Sequence, residues 1–209
     1  MSYSTYAKLQ SLKRPYLSQT ELKFILGGTK DSQFAKVKRA VANKVLTRIR
    51  RGLYCLSHPW GGEKPHPFSL AERIYGPSFI SLESALSNHG LIPEGVKIVT
   101  SVTARRQNYF KTPLGDYSYM TVPKNNFLLS VERVVDGEAV YFMATPWRAI
   151  ADYVYCYKKK WNTIEPLVAS LRMELEDLPQ LTQEEADELI EYYHHTRITQ
   201  FLLNAVMTQ

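Results

Sequence analysis

Cysteine is scarce. Only Cys55 and Cys156 occur in 209 residues, too few for a disulfide framework or a cysteine-rich zinc site and in keeping with a reducing compartment. Long apolar runs are missing too: no stretch approaches the roughly 18 uninterrupted apolar residues of a membrane span, and Met1 to Gln10 lacks the apolar centre of a secretory signal. A soluble, cytoplasmic protein with no membrane partner is therefore expected. Acidic side chains are nearly absent from the first quarter, where Glu21 and Asp31 stand against twelve Lys and Arg, a net of +10 over residues 1–58. The whole chain carries +6, so residues 59–209 sum to −4, and the positive field is concentrated at one end. Such asymmetry points to a polyanion partner more than to a merely solvated basic surface, which explains isolated lysines but not so few carboxylates across a foldable segment.

What is present supports a folded chain, because 44% hydrophobic content over this length is enough for a real core and for two domains. Tyr6 to Leu12 suggests a first short helix, ended by Pro15. Ser18-Gln19-Thr20-Glu21 has capping-box spacing and opens a second helix running to Leu26, which Gly27 and Gly28 stop. A third helix begins at Asp31 or Ser32. Its apolar residues Phe34, Val37, Val41 and Val45 recur at steps of three and four and predict one buried stripe. Ser32, Lys36, Arg39 and Asn43 then lie opposite, with Gln33 beside them, a face of hydroxyl, amide and cation suited to base edges and phosphates.

Leu46 to Leu56 follows as a short basic ribbon. Arg48 and Arg50 share one strand face by the period-two rule, Thr47 and Ile49 the other, and Gly52 supplies the turn with Arg51 beside it. Three helices and a two-stranded wing make a winged helix-turn-helix module. Its expected DNA-binding residues are Ser32, Gln33, Lys36, Arg39, Asn43, Arg48, Arg50 and Arg51. His58 to Pro67 is dense in turn formers and reads as a linker.

Beyond the linker, Ser81 to His89 predicts a helix, Val96 to Thr103 a strand, and Tyr117 to Val122 another after the turn at Pro113-Leu114-Gly115. Phe127 to Val135 and Glu138 to Ala144 predict a hairpin joined at Asp136-Gly137, and Pro146 opens a helix to about Tyr157. Residues 163–209 hold nine acids against Arg172 and Arg197, a net of −7. Pro179 separates two helices there, the second opening on Thr182-Gln183-Glu184-Glu185. The expected fold class is α+β: a winged helix-turn-helix domain over 1–58, a linker over 59–68, and a mixed α/β domain over 69–209 ending in helices.

Catalytic signatures are weak. Gly27-Gly28-Thr29-Lys30 lacks the spacing of a phosphate loop. Cys55 and His58, with His66 nearby, leave zinc short of a fourth ligand, and His194-His195, side by side on a predicted helix, point about 100° apart. A metal-dependent nuclease needs an acid-x-Lys pair in a sheet, yet Glu21-Leu22-Lys23 lies in a predicted helix. Tyr153, Tyr155 and Tyr157 before Lys158-Lys159-Lys160-Trp161 have the composition of a strand-stacking surface, although lysines also suit a helix end through its dipole. No catalytic residue, cofactor or metal is assigned.

The wing Arg50-Arg51-Gly52-Leu53-Tyr54 resembles that of the AbiEi family, the antitoxins of type IV toxin-antitoxin systems. Ser81-Leu82-Glu83-Ser84-Ala85-Leu86, His89-Gly90-Leu91-Ile92-Pro93, Val102-Thr103, Pro113-Leu114-Gly115 with Tyr117 and Tyr119, and Thr145-Pro146-Trp147-Arg148-Ala149-Ile150-Ala151-Asp152 occur in that family's order. The resemblance covers residues 18 to 157. It implies an amino-terminal winged helix that represses its own operon at inverted-repeat operators, and a carboxy-terminal domain that counters a nucleotidyltransferase-like toxin, without enzymatic activity. Trp147 departs from the pattern, where the family more often has an acid. Arg148 and Asp152, four apart, are placed to pair along one helix face. A standalone winged-helix regulator without a toxin would share every basic feature, and a metal-dependent nucleic-acid enzyme is the remaining alternative.

Overall fold

The structure is a computed structural model that describes residues 9, 15–57, 64–93 and 95–208. It is a mixed α+β arrangement of helices and two sheets. Of the expected first helix only Leu9 is among the described residues, helical and buried.

The amino-terminal unit runs β1 (Leu17–Ser18), α1 (Gln19–Leu26), α2 (Lys30–Ala42), β2 (Leu46–Arg50) and β3 (Leu53–Leu56). The capping box is real: Glu21 N donates to Ser18 Oγ at 3.2 Å, and Ser18 N donates to Glu21 Oε2 at 2.7 Å. Each bond satisfies an amide that the first helical turn leaves without a partner. β1 pairs with β3 and β3 with β2, so the ribbon gains a third strand that the sequence analysis did not anticipate. Gly52 closes the hairpin at φ +83, and its carbonyl accepts from Gln19 N at 2.9 Å, tying the turn to the start of α1.

The stripe expected on α2 needs correcting at one end. Val37 and Val45 are buried and Val41 is half-buried, but Phe34 is 67% exposed. At 100° per residue Phe34 sits about 60° around from Val37, on the side away from buried Ala40. Spacing fixed the direction of the stripe; its width is set by what packs on it, and that centres on Val37 and Ala40.

The larger unit contains α3 (Pro67–Ile74), β4 (Ser78–Ile80), α4 (Leu82–Asn88), β5 (Ile98–Thr103), β6 (Asn108–Thr112), β7 (Gly115–Thr121), β8 (Val131–Asp136), β9 (Ala139–Ala144), α5 (Pro146–Cys156), α6 (Glu165–Leu171), a 3-10 turn at Leu175–Asp177, α7 (Gln183–Tyr193) and α8 (Thr196–Thr208). Its sheet order is β6-β7-β5-β4-β9-β8, with β5 parallel to β7, β4 parallel to β9, and the other pairs antiparallel. Helices cover both faces. Tyr119 Oη donates to Ala71 O of α3 at 2.7 Å, while on the opposite face Thr100 exchanges bonds with Ser84 of α4, at 2.9 Å to its Oγ1 and 2.8 Å from its amide. Alternating strand residues therefore both find a buried side, which is why Val102 and Tyr119 are equally inaccessible.

In the larger unit α3, β4 and β6 also escaped the sequence. The linker expected over 59–68 overlaps the first turn of α3, whose N1 residue is Pro67; residues 58–63 lie outside the described residues. The hairpin holds, but β8 starts at Val131 rather than Phe127, and the pairing of Asp136 with Ala139 shifts the two-residue turn to Gly137-Glu138. His194 and His195 do not continue a helix. His194 is left-handed, at φ 44, and closes α7, while the His195 carbonyl receives the Ile198 and Thr199 amides at the start of α8.

One hydrophobic cluster fills the amino-terminal unit and another the larger unit, and the ribbon belongs to both. Leu46, Tyr54 and Leu56 join the smaller core with Leu17, Leu22 and Val37, whereas Ile49, Leu53 and Cys55 join the larger one with Leu70 and Ile74. Each apolar side chain so buried contributes about 1.5–3 kcal/mol.

A buried polar network ties the larger unit together. Arg148 and Asp152 of α5 are fully buried and pair at 3.2 Å. Asp152 also accepts from Ser81 Oγ at 2.6 Å and from Tyr193 Oη; Arg148 donates to Leu129 O at 2.8 Å and lies 4.0 Å from the Tyr192 ring centre. Burial pushes the Tyr193 phenol well up, and the adjacent Asp152 carboxylate adds to it. A lone buried charge costs several kcal/mol, so the pair persists only because α4, α5, α7 and the 123–130 turn region each supply partners. Trp147, where the resembling family more often has an acid, is buried and donates to Pro179 O at 2.7 Å.

Candidate nucleic-acid interface

The turn between α1 and α2 is held by the residues that sequence assigned to base reading. Helix α1 ends with carbonyls that lack intrahelical partners, and Lys36 Nζ reaches back from α2 to Leu26 O at 2.9 Å and Gly27 O at 3.2 Å. Gln33 Nε2 donates to Gly28 O at 3.0 Å. Thr29 caps α2, its Oγ1 accepting from Ser32 N at 3.4 Å. Gly28 is at φ +89, a backbone conformation that favours glycine, and a Cβ there would come within 3.3 Å of Ser32 Oγ and 3.5 Å of Lys36 Nζ. Ser32, Gln33 and Lys36 are accordingly half-buried and turned toward this turn.

The outward face of α2 lies beside the expected one. Asp31, Phe34, Ala35, Lys38, Arg39, Ala42 and Asn43 are exposed. Arg39 and Asn43 belong to both readings; Lys38 was missed because no hydrophobic spacing marks it. Arg39 Nε makes a long bond of 3.4 Å to Ala35 O, leaving the guanidinium on the surface. Asn43 closes the helix, its amide donating to Arg39 O at 2.9 Å.

On the ribbon, Arg48, Arg50 and Arg51 are exposed and Ile49 is buried, but the shared face expected for Arg48 and Arg50 needs correcting: a register shift between them pairs Arg48 with Tyr54 and Arg50 with Leu53, adjacent residues of β3, so the two arginines lie on opposite faces. Their surroundings differ. Arg50 lays its guanidinium on Arg73 O of α3 at 3.1 Å and Arg51 O at 3.4 Å, bracing the ribbon on the larger unit. Arg48, Arg51 and Lys38 have no side-chain partner among the described residues. The exposed cations thus include Lys38, Arg39, Arg48 and Arg51, with Lys30 at the start of α2 and Lys44 just past its end, and Asp31 is the carboxylate on the outward face of α2. The expected surface divides into cations available to a polyanion and cations spent on the fold.

Other candidate chemistry does not assemble. Burial pushes the Cys55 thiol up, partly offset by a bond with Thr47, so it is a poor ligand or nucleophile; His58 lies outside the described residues. His66 caps α3 through Nδ1, which accepts from Phe68 N at 3.3 Å, and its Nε2 lies 3.4 Å from Asp136. They border a cavity of about 550 Å³ with Tyr16, Ser69, Arg73 and Tyr141, but Ser69 Oγ donates to His66 O instead of facing its ring. No group of three or more His, Cys, Asp or Glu side chains among the described residues is placed to hold a metal ion, and no described helix is long and apolar enough to cross a membrane. The Tyr153 and Trp161 rings are stacked and already face Lys159 Nζ, at 5.6 and 4.9 Å from their centres. Lys159 and these two rings thus occupy one another, while Lys158 and Lys160 are exposed.

Because Lys36 holds carbonyls of α1, Lys36→Met is expected to lower stability by about 1 kcal/mol, read as a shift of the denaturant midpoint. An unchanged midpoint would contradict this role. No protein-family model matches this chain, and no curated protein matches it.

Proposed function

We propose that this chain is a non-enzymatic DNA-binding regulator, in which α1, the glycine turn and α2 form a helix-turn-helix and β2–β3 its wing. The observation that carries the reading is the outward set Lys38, Arg39, Arg48 and Arg51 on a helix and an adjoining ribbon, without a carboxylate partner among the described residues. A helix of this size fits the major groove, and a basic ribbon beside it meets phosphates. Arg39 suits guanine or phosphate, Asn43 adenine, and the ribbon arginines the backbone. Ser32, Gln33 and Lys36 contribute by holding the turn, and Arg50 by fixing the wing's angle.

The partner is double-stranded DNA, an operator built of inverted repeats in the chain's own operon. The larger unit then opposes a nucleotidyltransferase-like toxin, making the protein an AbiEi-type antitoxin. This second half rests on the ordered motif resemblance through residue 157, including Arg148 and Asp152.

Duplex binding is tested by its salt dependence. Each neutralised phosphate adds about 0.9 to the slope of log affinity against log salt, so Arg39→Ala, Arg48→Ala and Arg51→Ala together are expected to flatten the slope by about 2 to 3. An unchanged slope would remove these side chains from the interface. For the antitoxin role, coexpression of the full chain with the nucleotidyltransferase-like protein of the neighbouring gene should restore growth, and continued arrest with soluble chain present would contradict it. The full chain is required, since residues 69–209 alone would expose the surface that Ile49, Leu53 and Cys55 cover.

A further inference from the structure

Phe34 is a large aromatic side chain that stands 67% exposed on the outward face of α2. On that face exposed Ala35 adjoins it, Asp31 and Lys38 lie one turn away on either side, Arg39 is beside Lys38, and exposed Ala42 lies two turns along. The core does not use this phenyl: Val37, Ala40 and Val45 fill the contact with α1 and β2. Ala35 and Ala42 leave a low surface over which a partner can approach the helix closely. Phe34 and Ala35 therefore form a short apolar step, flanked by cations and followed by the unpaired arginines of the ribbon.

Only one feature of a duplex groove matches an apolar step among cations. In the major groove each base pair offers hydrogen-bond donors and acceptors, and thymine alone adds a projecting methyl group, which apolar side chains contact. Phosphates complement Lys38, Arg48 and Arg51; the methyl complements the phenyl. Asp31, exposed at the amino end of the same face, repels phosphate and favours a position over the groove floor instead of the backbone.

We infer that Phe34, with Ala35, is a specificity-determining contact that reads thymine 5-methyl groups in the major groove. The inference rests on the DNA-binding reading above and extends it: the preferred half-site contains thymine opposite the amino-terminal half of α2, beside the bases or phosphates met by Lys38 and Arg39.

The test selects duplexes from a random-sequence pool on the full-length protein, then remakes the winners with deoxyuridine at each thymine in turn. Deoxyuridine pairs identically and lacks only the methyl. The wild type is expected to lose about fourfold in affinity at one or two thymines per half-site, the factor for burying one methyl-sized group, and Phe34→Ala to lose that sensitivity while Phe34→Leu keeps part of it. Phe34 contributes little burial, so both variants should melt with the wild type, and the deoxyuridine scan on the unaltered protein needs no variant. A wild type indifferent to every thymine methyl overturns the inference while leaving DNA binding intact. So does a Phe34→Ala variant as sensitive as the wild type, or one whose main change is loss of self-association by light scattering, which would make the phenyl a subunit contact. Failure to enrich any duplex overturns the DNA reading itself.

Discussion

A two-stranded ribbon with a different core on each face is the constraint on which the arrangement depends. Leu46, Tyr54 and Leu56 are buried with the amino-terminal helices, and Ile49, Leu53 and Cys55 with the larger unit. Neither face is free, so the ribbon cannot swing as a loose arm, and the basic helix packed on it has a fixed bearing toward the larger sheet. Arg50 reinforces this by resting on the carboxyl end of α3, where helix carbonyls favour a cation. Helix and ribbon are thereby held as one surface, and anything that displaces α3 relative to the ribbon changes how the exposed cations of α2, β2 and the hairpin turn are presented.

Charge is spent unevenly across that surface. Lys36 and Arg50 look from sequence like the others, yet each satisfies backbone carbonyls and stabilises the shape of the turn or the ribbon. Lys38, Arg39, Arg48 and Arg51 remain directed outward. In the larger unit the deeply buried cation Arg148 is matched by Asp152, whose remaining acceptor capacity is taken by Ser81 and Tyr193. That network converts a local pair on α5 into a tie between segments far apart in the chain.

Much of this was legible in sequence, for identifiable reasons. Caps are local, so Ser18 with Glu21 and Thr182 before α7 stood where their spacing put them. Tyr117 and Tyr119 on either side of Ser118 marked β7, the Asp136-Gly137 turn signal marked the β8–β9 hairpin, and proline marked the start of α5. Short elements with both sides buried carry no alternation, which hid β4, all three residues of which are inaccessible. Strand β6 is an edge strand with only half-buried or exposed residues, and α3 begins inside a proline-rich stretch that resembles a linker. Phe34 and Lys36 show the limit of periodicity: it gives an angle around the helix, while burial depends on where α1 ends and on whether a long side chain finds carbonyls to bind. The sharing of Ile49 with a second core is a tertiary fact with no local signal.

Amide hydrogen exchange in Ile49→Ala tests the shared ribbon most directly. Removing that side chain is expected to cost about 2 to 5 kcal/mol. Because the ribbon serves both cores, the slowest amides of the smaller core, such as those around Val37, and of the larger, such as those around Val102 and Tyr119, should speed up by a common factor. Acceleration confined to one unit, with the other exchanging as in the wild type, would contradict the account.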